Sequence, residues 1–283
     1  MPPSLHHLLC LGPHGFYRLA YTRWGHGGRP VLCVHGLSRN GRDFDALAER
    51  LAAKGTVIAA DMPGRGRSDW MADEADYGYP LYLGAVAALI GSLGAAEIDY
   101  VGTSMGGLIG MMLAAQPGSP IRRLVLNDVG PFLPKAALER IGSYVGQNPD
   151  FADRAELEAY MRRVAASFGT LTDRQWREMA AHSGRELPNG RLALHYDPAI
   201  ARPFQGEMTD VDLWPVYDRI TCPTLVIRGG VSDLLRAETA AEMTRRGPRA
   251  RLYEVPGVGH APALLAADQI ATIAEFLNAD TAP

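Results

Sequence analysis

The sequence has no excess of charge, no long apolar run and too few cysteines for a disulfide framework, and each absence removes a class of function. With 28 Lys and Arg against 31 Asp and Glu, the formal net charge is −3. A basic footprint for nucleic acid or an anionic membrane is therefore missing. No apolar stretch approaches the roughly 18–20 residues that span a bilayer. Leu8, Leu9 and Leu11 are flanked by His6, His7 and Pro13 and form no h-region of signal-peptide length. The expected location is the cytoplasm. The three cysteines, Cys10, Cys33 and Cys222, are odd in number and widely spaced, which fits a reducing compartment. No H-E-x-x-H or other zinc constellation occurs, so no metal is expected. The stretch Asp61-Met62-Pro63-Gly64-Arg65-Gly66-Arg67-Ser68 lacks both a P-loop lysine and the G-x-G-x-x-G spacing. It reads as a structural turn in which Asp61 and Arg65 tie loops together. Internal repeats, low-complexity segments and charge runs are also missing.

What is there is a chain of 283 residues, 47% hydrophobic and 21% charged, enough for one large core. Short β-rich apolar runs alternate with helical patterns, which predicts a mostly parallel sheet covered by helices. The strands read as 16–24, 31–34, 57–60, 98–101, 121–126, 224–227 and 251–255. Helical spacings cover 43–54, 81–93, 237–246 and 264–277. From 131 to 215 the rhythm changes to helical patterns at 136–147, 152–168 and 173–182, broken by prolines and with little sign of a buried strand. The chain is thus expected to form an α/β core from 1–130 and 216–283, with a helical cap or lid inserted at 131–215. The cap carries ten Lys and Arg against twelve Asp and Glu, so it offers no strong selection for charged substrates.

The chemistry concentrates at three places. Gly102-Thr103-Ser104-Met105-Gly106 has the G-x-S-x-G pattern between a strand and a helix, which makes Ser104 the candidate nucleophile. A serine hydroxyl needs a base. His260, on the loop between the last strand and the last helix, reaches the same sheet edge and is the candidate. An acid must orient that histidine. Two aspartates in the required chain order compete for the role. Asp233, after the 224–227 strand in a glycine-rich loop, is favoured; Asp128, after the 121–126 strand, is the alternative, with shaping of the pocket floor as its other role. The oxyanion of an acyl-transfer intermediate is expected to meet the backbone N–H groups of Met105 and Leu37. Gly36 lets the backbone turn close to a substrate, and His35 braces that loop. Phe132, Tyr144, Phe168, Trp176, Met179, Tyr196 and Trp214 are candidates for an apolar pocket in the cap, with Phe132, Trp176, Tyr196 and Trp214 named as substrate-binding.

These residues, from about Phe16 to Leu277, resemble the α/β-hydrolase superfamily. The His35-Gly36 loop, the Asp61…Gly64…Gly66…Ser68 turn, the Ser104 elbow, Ser232-Asp233 and Gly259-His260 occur in that family's order. The resemblance implies the capped, cofactor-free serine branch that holds esterases, lactonases and carbon–carbon bond hydrolases. Its implied activity is cleavage of a small or medium carboxylic ester or lactone through an acyl-enzyme. Two alternatives stand beside it. One is a carbon–carbon hydrolase of a vinylogous diketone, favoured by a cap arginine near Ser104 (Arg140, Arg163 or Arg177). The other is a ligand sensor of the same shape with slow or no turnover. The expected partner is a small-molecule substrate, not nucleic acid or membrane, and the sequence does not determine the oligomeric state.

Overall fold

The computed structural model describes residues 2–279; residue 1 and residues 280–283, at the outer ends of the expected core, lie outside the described residues. Eight strands form the main sheet. They are β1 (Ser4–Gly12), β2 (Gly15–Trp24), β3 (Val31–Val34), β4 (Val57–Ala60), β5 (Ile98–Thr103), β6 (Ile121–Asn127), β7 (Thr224–Gly229) and β8 (Arg251–Val255). Their order across the sheet is β1-β2-β4-β3-β5-β6-β7-β8. β1, β2 and β4 pair antiparallel, and every other pairing is parallel. The helices are α1 (Asp45–Leu51), α2 (Tyr79–Ser92), α3 (Met105–Ala114), α4 (Lys135–Gly142), α5 (Arg154–Val164), α6 (Asp173–Ser183), α7 (Trp214–Tyr217), α8 (Ala237–Met243) and α9 (Ala267–Asn278).

A strand whose two faces are both covered by helices reads as a continuous apolar run, because successive side chains point to opposite faces. Here the run is divided in that way. Leu32, Val34, Ile58, Ala60, Tyr100, Leu124, Leu126 and Val226 pack in one cluster with apolar residues of α2, α3 and α8. Val31, Cys33, Val57, Ala59, Val101, Val125, Leu225 and Ile227 pack in a second with residues of α1 and α9. The sheet is thus sandwiched, and at the carboxyl ends of its parallel strands the chain turns into loops that can carry a site.

Between β6 and β7 the chain leaves the sheet. α4, α5 and α6 lie there, and the last two start on strong caps. Asp153 accepts hydrogen bonds from the N–H groups of Ala155 and Glu156, and Thr172 and Gln175 form a reciprocal capping box. The segment also holds strand pairs that the helical patterns gave no reason to expect. Asp150–Phe151, Leu192–Leu194 and Gly184–Glu186 form a three-stranded sheet, and Phe132–Leu133 pairs with Val211–Asp212. These strands are two or three residues long, too short to show a period. Nor does the sequence reading include β1, the edge strand that pairs with Gly15–Trp24 over nine residues; most of its side chains face outward, and only Cys10 is buried.

The turn from β5 into α3 is the tightest point of the fold. Ser104 takes φ +52°, in the left-handed region. A Cβ at Gly106 would stand 2.0 Å from the carbonyl oxygen of Val34, and one at Gly102 would stand 2.4 Å from the carbonyl of Gly106. These obstacles are backbone atoms that cannot swing aside. Gly106→Ala is therefore expected to destabilise the protein by at least about 4 kcal/mol or prevent folding. Gly84→Ala, on the exposed face of α2 with nothing within 4 Å of the added methyl, is expected to be neutral or stabilising by up to about 1 kcal/mol. Urea unfolding of the two variants checks this, and equal midpoints would contradict it.

Candidate active site

The elbow sets Ser104 above the carboxyl end of β5, anchored by the bond from its N–H to the carbonyl of Asn127 (2.9 Å). Its hydroxyl lies 2.9 Å from Nε2 of His260. The other ring nitrogen, Nδ1, lies 2.7 Å from Oδ2 of Asp128. A carboxylate only accepts, so the proton is assigned to Nδ1, and Nε2 is left to accept from the Ser104 hydroxyl. The loop carrying His260 is held from two sides. Asn127 donates its side-chain amide to the carbonyl of Pro262 (2.9 Å), and Ser167 donates its hydroxyl to the carbonyl of His260 (2.8 Å).

The structure corrects the choice of aspartate. Asp128 follows β6 directly, with φ +54° and its side chain fully buried. Its Oδ1 accepts from the N–H of Gly229 (2.7 Å), and its Oδ2 accepts from the hydroxyl of Ser232 (2.6 Å) as well as from His260. The last residue of β7 and the glycine-rich loop after it thus supply donors to Asp128. Asp233, one residue beyond Ser232, faces the other way and forms a two-pronged ion pair with Arg140 of α4 (2.5 and 2.9 Å). Burial pushes the Asp233 carboxyl up, but the hydrogen bonds and charge of Arg140 outweigh it and hold it below its ordinary value. Ser232 was missed as a site residue; its signal was present only as the neighbour of the favoured aspartate.

A cavity of about 520 Å³ opens over Ser104 and His260. Gly36 and Leu37 form part of its wall, and a Cβ at Gly36 would lie 3.7 Å from that of Ser104. Met105 heads α3, where a first-turn N–H has no partner within the helix. From residues 131–215 come Arg140, Ile141, Tyr144, Tyr160, Met161, Val164, Phe168, Met179, Leu194 and Tyr196. Of the four residues named as substrate-binding in the cap, only Tyr196 lines this cavity. Trp176 is buried in α6 with the Arg162 guanidinium 5.6 Å from its ring, and Trp214 stacks edge-on against Tyr217 with Arg246 on its face. Phe132 lies in its short strand, outside the cavity lining. Trp176 packs against an arginine of its own segment and Trp214 against Tyr217 and Arg246 beyond it, and residue type discloses neither. Among the described residues no group of three or more His, Cys, Asp or Glu could hold a metal ion.

His35 is fully enclosed under the Gly36 loop. Its Nδ1 donates to the carbonyl of Gly36 (2.7 Å), and its Nε2 accepts from the N–H of Met62 (2.9 Å). Both bonds suit the neutral ring, which fits its expected bracing role.

The sequence profile described as the alpha/beta hydrolase family covers residues 31–273. The chain belongs to that family. Several of its relatives are hydrolases by name. It is 44% identical to a 3-hydroxybutyrate-oligomer hydrolase of Cupriavidus necator, over 98% of both chains. It is 30% identical to a 2-(acetamidomethylene)succinate hydrolase of Mesorhizobium japonicum over 82% of both. An alpha/beta hydrolase of Novosphingobium aromaticivorans superposes with a TM-score of 0.88 at 37% identity, covering 97% of this chain and 98% of that one. Within the family the mostly parallel sheet flanked by helices is the shared feature, as expected from the alternation of strands and helices.

One consequence concerns pH and stability. Burial lowers the pKa of His35 from 6.5 to about 4. Between those values the unfolded chain binds a proton that the native state excludes, so stability falls as pH drops from 6.5 towards 4. The loss attributable to His35 is about 3 kcal/mol. His182 and His195, also lowered mainly by burial, add loss of the same sign. Urea unfolding across pH 7 to 4 should show this decline, and His35→Gln should flatten it; an unchanged slope in the variant would contradict the assignment.

Proposed function

We propose that the protein is a serine hydrolase cleaving carboxylic esters through an acyl-enzyme, with short oligomers of 3-hydroxybutyrate or similar small hydroxyacid esters as substrates. The observation that carries this reading is the unbroken chain Asp128–His260–Ser104, at 2.7 and 2.9 Å, ending in a partly apolar cavity. The oligomer substrate comes from the relative that is 44% identical over nearly the whole chain. A lactone, the cyclic form of the same bond, fits the same chemistry.

In the first half-reaction the Ser104 oxygen adds to the ester carbonyl carbon while its proton passes to Nε2 of His260. Asp128, already bonded to Nδ1, stabilises the imidazolium and keeps the ring aligned. The negative charge that develops on the carbonyl oxygen meets the N–H groups of Leu37 and Met105. The C–O bond then breaks, His260 returns its proton to the departing hydroxyl, and the acyl group stays on Ser104. A water activated by the same histidine releases the acid. Residues 131–215 act as a cap that covers the bound acyl chain, with Tyr144, Phe168, Met179 and Tyr196 as its wall. Arg140 gives the free carboxylate of a hydroxyacid chain a cationic partner. It also lies where the carbon–carbon bond reading needs an arginine, although Asp233 already occupies one edge of its guanidinium. Cys10, Cys33 and Cys222 are free. Among the described residues no helix is long and apolar enough to cross a membrane.

Hydrolysis of p-nitrophenyl esters of increasing acyl length, and of 3-hydroxybutyrate dimers and trimers, tests the reading. Ser104→Ala is expected to lower kcat by a factor on the order of 10⁶. Asp128→Asn should lower it by about 10⁴. Asp233→Asn should stay within about tenfold of the parent, since it touches the cap and not the histidine. Larger loss in Asp233→Asn than in Asp128→Asn would refute the assignment of the acid. Failure of the parent protein to turn over any ester would refute the function.

A further inference from the structure

Arg65 is a fully buried arginine without a carboxylate. Among the described residues no Asp or Glu oxygen lies within 4.0 Å of its nitrogens, in contrast with the many paired arginines elsewhere. Its Nε donates to the carbonyl of Leu37 (2.8 Å), and its Nη1 donates to the carbonyl of Pro63 (2.7 Å) and the hydroxyl of Tyr82 (2.9 Å). Its Nη2 faces the sulfur of Met105 at 3.7 Å. The guanidinium carbon lies 4.9 Å from the centre of the Tyr82 ring and 5.8 Å from that of Tyr77. Asp61, in the same turn, has its carboxylate committed to the N–H groups of Gly41 and Arg67 (2.7 and 2.9 Å).

Burying a cation without a counter-charge is costly, and neutral acceptors and aromatic faces only partly offset the lost hydration. A turn that needed only to be tied could use an uncharged donor at lower cost. Two residues that Arg65 touches beyond its own turn are Leu37 and Met105, the two whose N–H groups face the developing oxyanion in the proposed reaction. We infer that Arg65 is a positioning residue for the oxyanion site. It fixes the Leu37 peptide from behind through that residue's carbonyl and holds Met105 through its side chain. Its uncompensated charge favours the anionic intermediate over the neutral ester, because fixed charge in a water-excluded site acts at low effective dielectric. This inference rests on the ester-hydrolase reading above.

The test compares the wild type with Arg65→Met and Arg65→Lys, with kcat expressed per active site titrated by a fluorophosphonate. The second readout is inhibition by a trifluoromethyl ketone, whose carbonyl takes the Ser104 oxygen to form a hemiketal oxyanion, and by the methyl ketone of the same chain. Arg65→Met should lower kcat at least about tenfold with KM within about threefold. The trifluoromethyl ketone should weaken by the same factor while the methyl ketone stays unchanged. Arg65→Lys, which keeps the charge and loses the fork, should fall between the two. If Arg65→Met yields no folded protein, Arg65→Lys decides: a reduced kcat with a matching loss of fluoroketone affinity supports the inference. Wild-type kcat and fluoroketone affinity in whichever variant folds would overturn it, as would a rise in KM alone. A wild type that turns over no ester removes the parent reading instead, and is distinguished by being visible before any variant is made.

Discussion

The carboxylate of Asp128 is the point on which the arrangement turns. It is wholly enclosed, and its two oxygens are shared among three donors, one from the last residue of β7, one from the loop after it and one from the loop after β8. Oδ1 has the Gly229 N–H as its donor, and Oδ2 has both Ser232 and His260, so loss of either of these two still leaves that oxygen one partner. Removing the carboxylate leaves His260 with a proton on Nδ1 and nothing to receive it. The same atoms therefore join three adjacent strands and set the direction in which the imidazole faces Ser104. Stability and chemistry coincide here because the acid is placed by the sheet and not by a surface loop.

The contacts between the sheet and residues 131–215 are of a different kind. Arg140 and Asp233 meet while both are about half exposed, so their attraction is largely screened and contributes roughly 0–1 kcal/mol. Arg39 is better enclosed, bonded to Asp43 on its own loop and to the hydroxyl of Ser183 in α6. The Asn40 amide adds a bond to the carbonyl of His182. These polar contacts add to apolar packing, since Ile141, Leu157, Met161 and Leu194 belong to the same buried cluster as Val34, Tyr100 and Leu124 of the sheet.

Much of this was legible in the sequence because it repeats a period or obeys a steric rule. Apolar runs such as Val31–Val34 and Thr224–Ile227 can be read as strands covered on both faces, and the glycines around Ser104 mark a turn where backbone touches backbone. His260 was legible from its place after the last strand. Asp128 was not singled out, because both candidate acids follow sheet strands and both satisfy the chain order. The deciding contacts are long-range in sequence: Asp128 meets His260 across 132 residues, and Asp233 meets Arg140 across 93. The cap aromatics failed for a similar reason. Arginines cover the faces of Trp176 and Trp214, whereas Tyr196, just past the strand at residues 192–194, lines the cavity. The short strands at residues 150–151 and 184–186 carry no period at all.

The central claim is that His260 is oriented by Asp128, and proton NMR of the folded protein addresses it without any substrate. A histidine Nδ1 proton held by a buried carboxylate is strongly deshielded and exchanges slowly enough to be seen apart from the amide envelope. The account predicts one such resonance, retained in Asp233→Asn and lost in Asp128→Asn and His260→Gln. A resonance that survives Asp128→Asn and vanishes in Asp233→Asn would contradict it.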